Sequence, residues 1–109
     1  MSEETNKKIE ELQLLESHLQ NFIFQKQSVQ IEANEIENAL EELKNSGEEI
    51  YKIISGFLIK SNKEDVKKEL EEKKKLVAIR LESMEKQEKL IDRDVKKLRE
   101  EINKAVDKR

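Results

Sequence analysis

Apolar residues recur every three or four positions through the first part of the sequence, in the a/d pattern of a coiled-coil helix. The pattern predicts a helix over residues 6–45, which contain neither glycine nor proline. A left-handed cap at Asn45, Ser46 and Gly47 is expected to end it. Lys26 is the single polar member of this seam, which consists of Leu12, Leu15, Leu19, Phe22, Lys26, Val29, Ala33, Ile36, Leu40 and Leu43.

A second seam of the same kind predicts a second helix over residues 62–107. Either Ser61 or Asn62 can cap its start, because each is followed three residues later by an acidic residue. Three lysines at 73–75 interrupt the seam and predict weak packing there. The seam consists of Leu70, Val77, Leu81, Met84, Glu88, Ile91, Val95, Leu98, Ile102 and Ala105. Glu88 is the one polar residue among them.

Two helices of similar length can fold back on each other as an antiparallel pair. Both chain ends then lie together, and Lys26 falls beside Glu88. We expect these two polar seam residues to form an ion pair that fixes the register of the helices, a role better attested for such pairs than net stabilisation.

Between the helices, residues 49–61 predict a β-hairpin, with strands at 50–54 and 57–60 and a tight turn at Ser55 and Gly56. Glycine suits the turn because it adopts positive φ without steric cost. An isolated two-stranded hairpin is marginal in water, so its edges are expected to pair with strands of other subunits in a shared sheet or barrel. The residues expected to drive this assembly are Ile50, Tyr51, Ile53, Ile54, Gly56, Phe57, Leu58 and Ile59, and Leu76 and Ile79, outside the second seam, are expected to pack against the shared sheet.

The composition agrees with a mainly α chain of one domain, residues 1–109, rather than a globule with a large core: 43% of residues are charged and 4% aromatic. The charges are interspersed and sum to −3, which argues against a nucleic-acid partner. No signal peptide or membrane-spanning run is evident, so a soluble, cytoplasmic protein without a membrane partner is expected.

Catalytic signals are missing from the sequence. There is no cysteine, and His18 is the only histidine, so a metal site is not expected. No phosphate-binding glycine loop and no nucleophile paired with a base can be identified. We therefore expect neither enzymatic activity nor a cofactor.

The hairpin, Tyr51–Lys60, followed by Ser61–Val66 and Leu70, resembles the beta class of prefoldin subunits, most closely the archaeal type. The resemblance extends over essentially the whole chain. The family places its turn glycine directly after two aliphatic residues, whereas Ser55 holds that place here and Gly56 follows.

The resemblance implies a hexamer of two alpha-class and four beta-class subunits, whose hairpins join into β-barrels. It further implies that the ends of the coiled coils hold unfolded proteins without nucleotide and deliver them to a group II chaperonin. The candidate client-binding residues are Ile9, Leu12, Leu14, Leu15, Leu98, Ile102, Ala105 and Val106. Seam members of this set are accessible only if the helix ends separate, so Ile9, Leu14 and Val106, which lie off the seam, are favoured.

Two other functions remain open at this point. A coiled-coil scaffold or spacer, oligomerised through its hairpin and binding nothing at its ends, has the same heptads. In it, the apolar residues near the termini are ordinary coiled-coil end residues. An RNA-binding helical arm needs a basic face, and the interspersed acids argue against it.

Overall fold

The computed structural model describes residues 2–107 as two helices joined by a hairpin. Helix α1 spans Glu3–Asn45, strand β1 Glu49–Ile54, strand β2 Phe57–Asn62 and helix α2 Lys63–Asp107. The predicted mainly α fold with a β-hairpin between two long helices is confirmed.

The chain packs as two compact units. The terminal unit comprises Met1–Gln27 with Glu82–Arg109, and the central unit comprises Ser28–Leu81. That the whole chain behaves as one domain stays a prediction.

Helix α1 begins at Glu3, earlier than residue 6, because Ser2 caps it. The Ser2 Oγ accepts a hydrogen bond from the Thr5 N–H at 3.1 Å, and the Ser2 carbonyl accepts one from the Asn6 N–H at 3.0 Å. A serine just before the first turn is a favoured N-cap, since its oxygen satisfies an N–H that has no partner within the helix. Thr5 is buried, and its hydroxyl lies 2.8 Å from the Ser2 Oγ.

The predicted left-handed cap at the end of α1 is wrong, because Gly47 does not have a positive φ. Carbonyls at and just beyond the end of α1 accept other hydrogen bonds instead, among them one from the Ser46 N–H to the Leu43 carbonyl at 3.3 Å. The Ser46 hydroxyl donates to the Leu43 carbonyl at 2.8 Å, and the Lys63 ammonium donates to the Ser46 carbonyl at 2.9 Å. Because Ser46 follows the last residue of α1, the Lys63 bond ties the start of α2 to the loop after α1.

Helix α2 is capped by Asn62, one of the two residues that the sequence left open. The Asn62 Oδ1 accepts a hydrogen bond from the Glu64 N–H at 2.8 Å, whereas the Ser61 hydroxyl donates to the Ile59 carbonyl at 3.4 Å. Strand β2 therefore runs on through Asn62, beyond its predicted end at residue 60, and α2 begins at Lys63.

Each unit has its own share of the buried seam. In the terminal unit the buried apolar residues are Met84, Val95, Leu98 and Ile102, and in the central unit they are Val29, Ile36, Leu43 and Val77. Every residue of the two predicted seams is buried or half-buried. The 3.5-residue period thus identified the core-facing positions of both helices.

The predicted contact between the two polar seam residues is present in the terminal unit. The Lys26 Nζ lies 3.1 Å from the Glu88 Oε2, and the two side chains are about a quarter exposed, at 26% and 25%. That this pair fixes the helix register remains a prediction.

The weak packing predicted near the three lysines is also present, within the central unit. Lys74 occupies a seam position but turns to the Glu37 carboxylate at 3.0 Å. A groove of about 580 Å³ opens there, lined by Leu40, Leu43 and a mixture of glutamates and lysines.

Candidate functional site

A two-residue turn sets the register of the hairpin. Ser55 has a φ of 49° and Gly56 one of 83°, and Ile54 pairs directly with Phe57 across them. Positive φ at both central residues is the geometry of a type I′ turn, whose twist matches that of antiparallel strands. Serine adopts positive φ less readily than glycine, so Ser55 is a strained position.

The outer face of the hairpin carries three apolar residues, Tyr51, Ile53 and Leu58, and three polar ones, Glu49, Lys60 and Asn62. Ile53 pairs directly with Leu58, and Tyr51 lies two residues along on the same side of the sheet. The three apolar side chains are 56%, 75% and 67% exposed in that order. Adjacent large apolar side chains left in water are typical of an interaction site.

The inner face, on the other side of the same strands, carries Ile50, Lys52, Ile54, Phe57 and Ile59. Lys52 turns this face towards α2, where its ammonium donates a hydrogen bond to the Glu69 Oε2 at 2.7 Å. This hydrogen bond and the lysine charge lower the pKa of the Glu69 carboxyl. Ile50 is half-buried, while Phe57 remains exposed beside the turn.

The residues expected to drive assembly lie in this hairpin, with Gly56 in its turn. Leu76 and Ile79 lie on α2 and are exposed, and their packing against a shared sheet stays a prediction. Lys52 and Glu69, which link the hairpin to α2, were not identified from the sequence. The available signal was Lys52, a charged residue in the interior of strand β1 that faces the same side as Ile50 and Ile54.

The candidate client-binding residues all belong to the terminal unit, where the two chain ends lie side by side. The Arg99 guanidinium is 2.9 Å from the Glu16 carboxylate, and the Lys8 ammonium is 3.7 Å from that of Glu101. These exposed pairs connect the beginning of α1 to the end of α2 without contributing much stability.

The candidates differ in accessibility. Leu98 and Ile102 are buried, and Leu12, Leu15 and Ala105 are half-buried, as seam residues should be. Leu14 is 73% exposed and Val106 41% exposed, whereas Ile9 is half-buried. Two of the three favoured residues are therefore open to solvent in the closed coiled coil.

Within residues 2–107, no group of three or more histidine, cysteine, aspartate and glutamate side chains is arranged to hold a metal ion. His18 is exposed on α1. Neither helix of the described part of the chain is apolar over a length that would cross a membrane.

Comparison with known proteins identifies the family. Residues 6–109 match the family described as prefoldin subunit. The chain belongs to the prefoldin subunit family. Prefoldin is a chaperone and not an enzyme.

The similar prefoldin subunits are of the archaeal beta class, in agreement with the resemblance noted in the hairpin. The prefoldin subunit beta of Pyrobaculum islandicum is 37% identical over 94 residues, covering 84% of this chain and 75% of that one. The prefoldin subunit beta of Saccharolobus islandicus is 33% identical over 107 residues, covering 96% and 85%.

The fold has a solved prefoldin counterpart as well. The crystal structure of the prefoldin beta subunit from Thermococcus strain KS-1 superposes with a TM-score of 0.89 at 29% identity, covering 95% of this chain and 93% of the other. The hairpin between two long helices is thus a prefoldin beta-subunit fold.

Proposed function

We propose that this chain is a beta-type subunit of a hetero-oligomeric chaperone that binds unfolded proteins without nucleotide. It assembles with an alpha-class prefoldin subunit and further copies of itself, in a hexamer of two alpha and four beta subunits. It works in the cytoplasm and delivers its clients to a group II chaperonin. No nucleic acid or membrane takes part.

The observation that carries client binding is the exposure of Leu14 and Val106 beside a closed seam at the chain ends. Unfolded chains expose apolar side chains, which such residues contact without a defined pocket. One or two exposed side chains bind weakly, but several subunits on one body present several such ends. Their combined affinity then rises through effective concentration rather than through any single strong contact.

Assembly is supported by the exposed outer face of the hairpin. Tyr51, Ile53 and Leu58 are mostly exposed, and no third strand of the described chain pairs with either edge of the two-stranded sheet. Open edges and an apolar face favour pairing with further strands, which would bury both. Several copies would thereby be held on one body.

Client binding can be tested with two exposed leucines, one at the chain end and one elsewhere in the terminal unit. Leu14→Ser is expected to weaken the suppression of aggregation of an unfolded client, because it removes apolar surface at the chain end. Leu90→Ser is the matched control: Leu90 is 55% exposed on α2 in the same terminal unit but is not among the tip residues. Neither substitution is expected to affect folding, since neither side chain is buried.

If both variants suppress client aggregation equally well, and light scattering shows an intact oligomer, then the binding surface does not lie at the chain ends. No suppression by the unmodified oligomer would favour the scaffold function. That second candidate has one observation in its favour, namely that Leu98 and Ile102 are already buried in the coiled coil.

A further inference from the structure

A line of exposed residues runs along α1 within the terminal unit, on the side of the helix away from the seam. Leu14, Ser17, Asn21 and Phe24 are separated by three, four and three residues, so they are successive neighbours on one helix face. All four are exposed, and the two apolar side chains at the ends, Leu14 and Phe24, are 73% and 67% exposed. These four residues form what we call the neutral stripe.

The neutral stripe lies on the segment of the terminal unit that has the fewest charges. Among residues 12–27 only Glu16 and Lys26 are charged, whereas fifteen of the twenty-six residues from 82 to 107 are. Both charges have partners on α2, because Glu16 pairs with Arg99 at 2.9 Å and Lys26 with Glu88 at 3.1 Å. In a chain of which 43% of the residues are charged, this face of α1 is therefore distinct.

The uncharged region extends away from the chain end. Glu10 and Glu11 are exposed one turn before Leu14, so the region stops there on the side of the terminus. From Leu14 onwards the stripe is flanked by exposed side chains that are uncharged at pH 7, namely Gln13, His18, Gln20, Gln25 and Gln27. The region thus continues past the tip residues as far as Phe24.

These side chains match the chemistry of an unfolded backbone. An unfolded protein exposes apolar side chains together with N–H and C=O groups that have no partner in the chain. An amide side chain both donates and accepts hydrogen bonds, so Asn21 and the flanking glutamines can bond to a backbone of any sequence. A charged side chain in the same place would have to lose its water, at a cost that an uncharged client does not offset.

We propose that the neutral stripe binds an extended, uncharged segment of an unfolded protein, and that Phe24 is a client-binding residue beyond the tip. Leu14 and Phe24 are ten residues apart, about 15 Å along the helix. In an extended segment, residues i and i+4 are about 13 Å apart and point to the same side. One apolar side chain of the client would contact Leu14 and another, four residues along, would contact Phe24. The inference deepens the proposed client binding and rests on it.

A folded helix, such as the same stripe of a second copy, is the competing occupant. Helices that pack against each other need apolar side chains at each turn of the contact, and the middle of the stripe is Ser17 and Asn21. A helix also uses its backbone N–H and C=O groups internally, so the amides of the stripe would find few partners on it. An extended segment offers both kinds of contact.

Photo-cross-linking to the assembled oligomer tests the spacing, because it captures weak complexes. The probes are peptides of serine, threonine and asparagine with two leucines either four or five residues apart and a diazirine side chain beside the first leucine. The peptide with leucines four residues apart should cross-link at about threefold higher yield, because only then do both leucines face the same side. The cross-linked residues should lie within 14–24 of α1.

Phe24→Ser should lower the yield of the four-residue peptide about fivefold and remove the preference between the two peptides. Leu90→Ser is the matched control, because Leu90 is 55% exposed in the same unit but has Lys86 and Arg93 exposed one turn to either side. It should leave both yields unchanged. Circular dichroism and light scattering check that the helices and the oligomer are intact.

A second pair of variants separates a binding role from a structural one. Asn21→Glu favours the helix but puts a charge in the middle of the stripe, so it should lower the yield about fivefold. Asn21→Gln keeps an amide there and should retain the yield. Equal yields for these two variants would contradict the part assigned to the uncharged side chains.

Several results would overturn the inference while leaving client binding at the tips in place. They are loss of aggregation suppression in Leu14→Ser but no change in Phe24→Ser, equal yields for the two peptides, or no cross-links from an oligomer that does suppress aggregation. A larger particle without client that Phe24→Ser returns to its normal size would show that a second copy covers the stripe. An oligomer that neither cross-links nor suppresses aggregation would reject the proposed client binding and this inference together.

Discussion

At the turn of the hairpin, Gly56 has a φ of 83° with nothing within 4 Å of the place where a Cβ would lie. Gly56→Ala should therefore destabilise the fold through backbone strain alone, by about 1–2 kcal/mol. Gly47 is the matched control, since its surroundings are equally open and its φ is not positive. Gly47→Ala should change the free energy of unfolding by less than about 0.5 kcal/mol. Urea unfolding of both variants checks this, and equal losses would contradict the type I′ turn.

The Lys26–Glu88 pair lends itself to a charge exchange. Lys26→Glu alone places two carboxylates together in a half-buried seam and should cost roughly 1–3 kcal/mol of unfolding free energy, as should Glu88→Lys. The double exchange restores opposite charges at the same place and should regain most of the loss. Melting temperatures of the three variants measure it. A double variant as unstable as the sum of the single ones would show that the pair does not specify the register.

At the scale of the elements, the seams were predictable and the ends of the elements were not. Positions such as Val95 and Ile36 are buried because a 3.5-residue period places them on one side of a helix, whatever the detail of packing. The helix ends depend on individual hydrogen bonds. Ser2 extends α1 at its start, and just beyond its end the Ser46 hydroxyl bonds back to the Leu43 carbonyl. The Ser46 carbonyl also accepts a hydrogen bond from Lys63 of α2, a contact that no local pattern contains.

The sequence also located the hairpin residues without showing which face each one occupies. That division follows from the register, which depends on the type I′ turn at Ser55 and Gly56. Much of the hairpin is exposed in the single chain, so burial does not show which face each residue occupies either. The client-binding residues remain a prediction for a related reason: exposure of Leu14 shows access and not a ligand.

The attachment of the hairpin to α2 should depend on pH through Glu69. Lys52, and to a lesser degree Lys73, lower the pKa of this carboxyl in the folded chain. Because the pKa of Glu69 is lowered by folding, its contact stabilises the fold fully above the pKa of the unfolded state. This stabilisation is lost as the pH falls through the pKa of the folded state. The difference in melting temperature between the unmodified chain and Glu69→Gln should be constant from about pH 6 to 8 and shrink in acid.

The control for this titration is Glu82→Gln, which removes an exposed pair with Lys86 at 3.6 Å on the same helix. Exposed pairs of this kind contribute little, so its melting temperature should follow that of the unmodified chain at every pH. A Glu69→Gln difference that persists undiminished in acid would mean that the Lys52 contact does not stabilise the fold.

At the scale of the whole molecule, the outer face of the hairpin is expected to determine the oligomeric state. Ile53→Asp or Leu58→Asp places a charge where a neighbouring strand or sheet would bury an apolar side chain, and each should dissociate the oligomer. Leu90→Asp introduces the same charge at an exposed leucine of α2 and should leave the oligomer whole. Light scattering measures the mass, and circular dichroism confirms that the helices persist.

Dissociation by the control as well would show a general effect of charge rather than of the hairpin. An oligomer that survives both hairpin substitutions would place the assembly surface elsewhere on the chain.

Tyr51 on this outer face has a practical value as well. It is the only tyrosine, and the chain has no tryptophan, so near-ultraviolet absorption and emission come chiefly from this one phenol ring. With 56% of the residue exposed, its emission and its accessibility to a soluble quencher will respond when another strand covers it. The chain therefore carries an intrinsic optical probe at the surface where subunits are expected to join, and assembly can be followed in real time without a label.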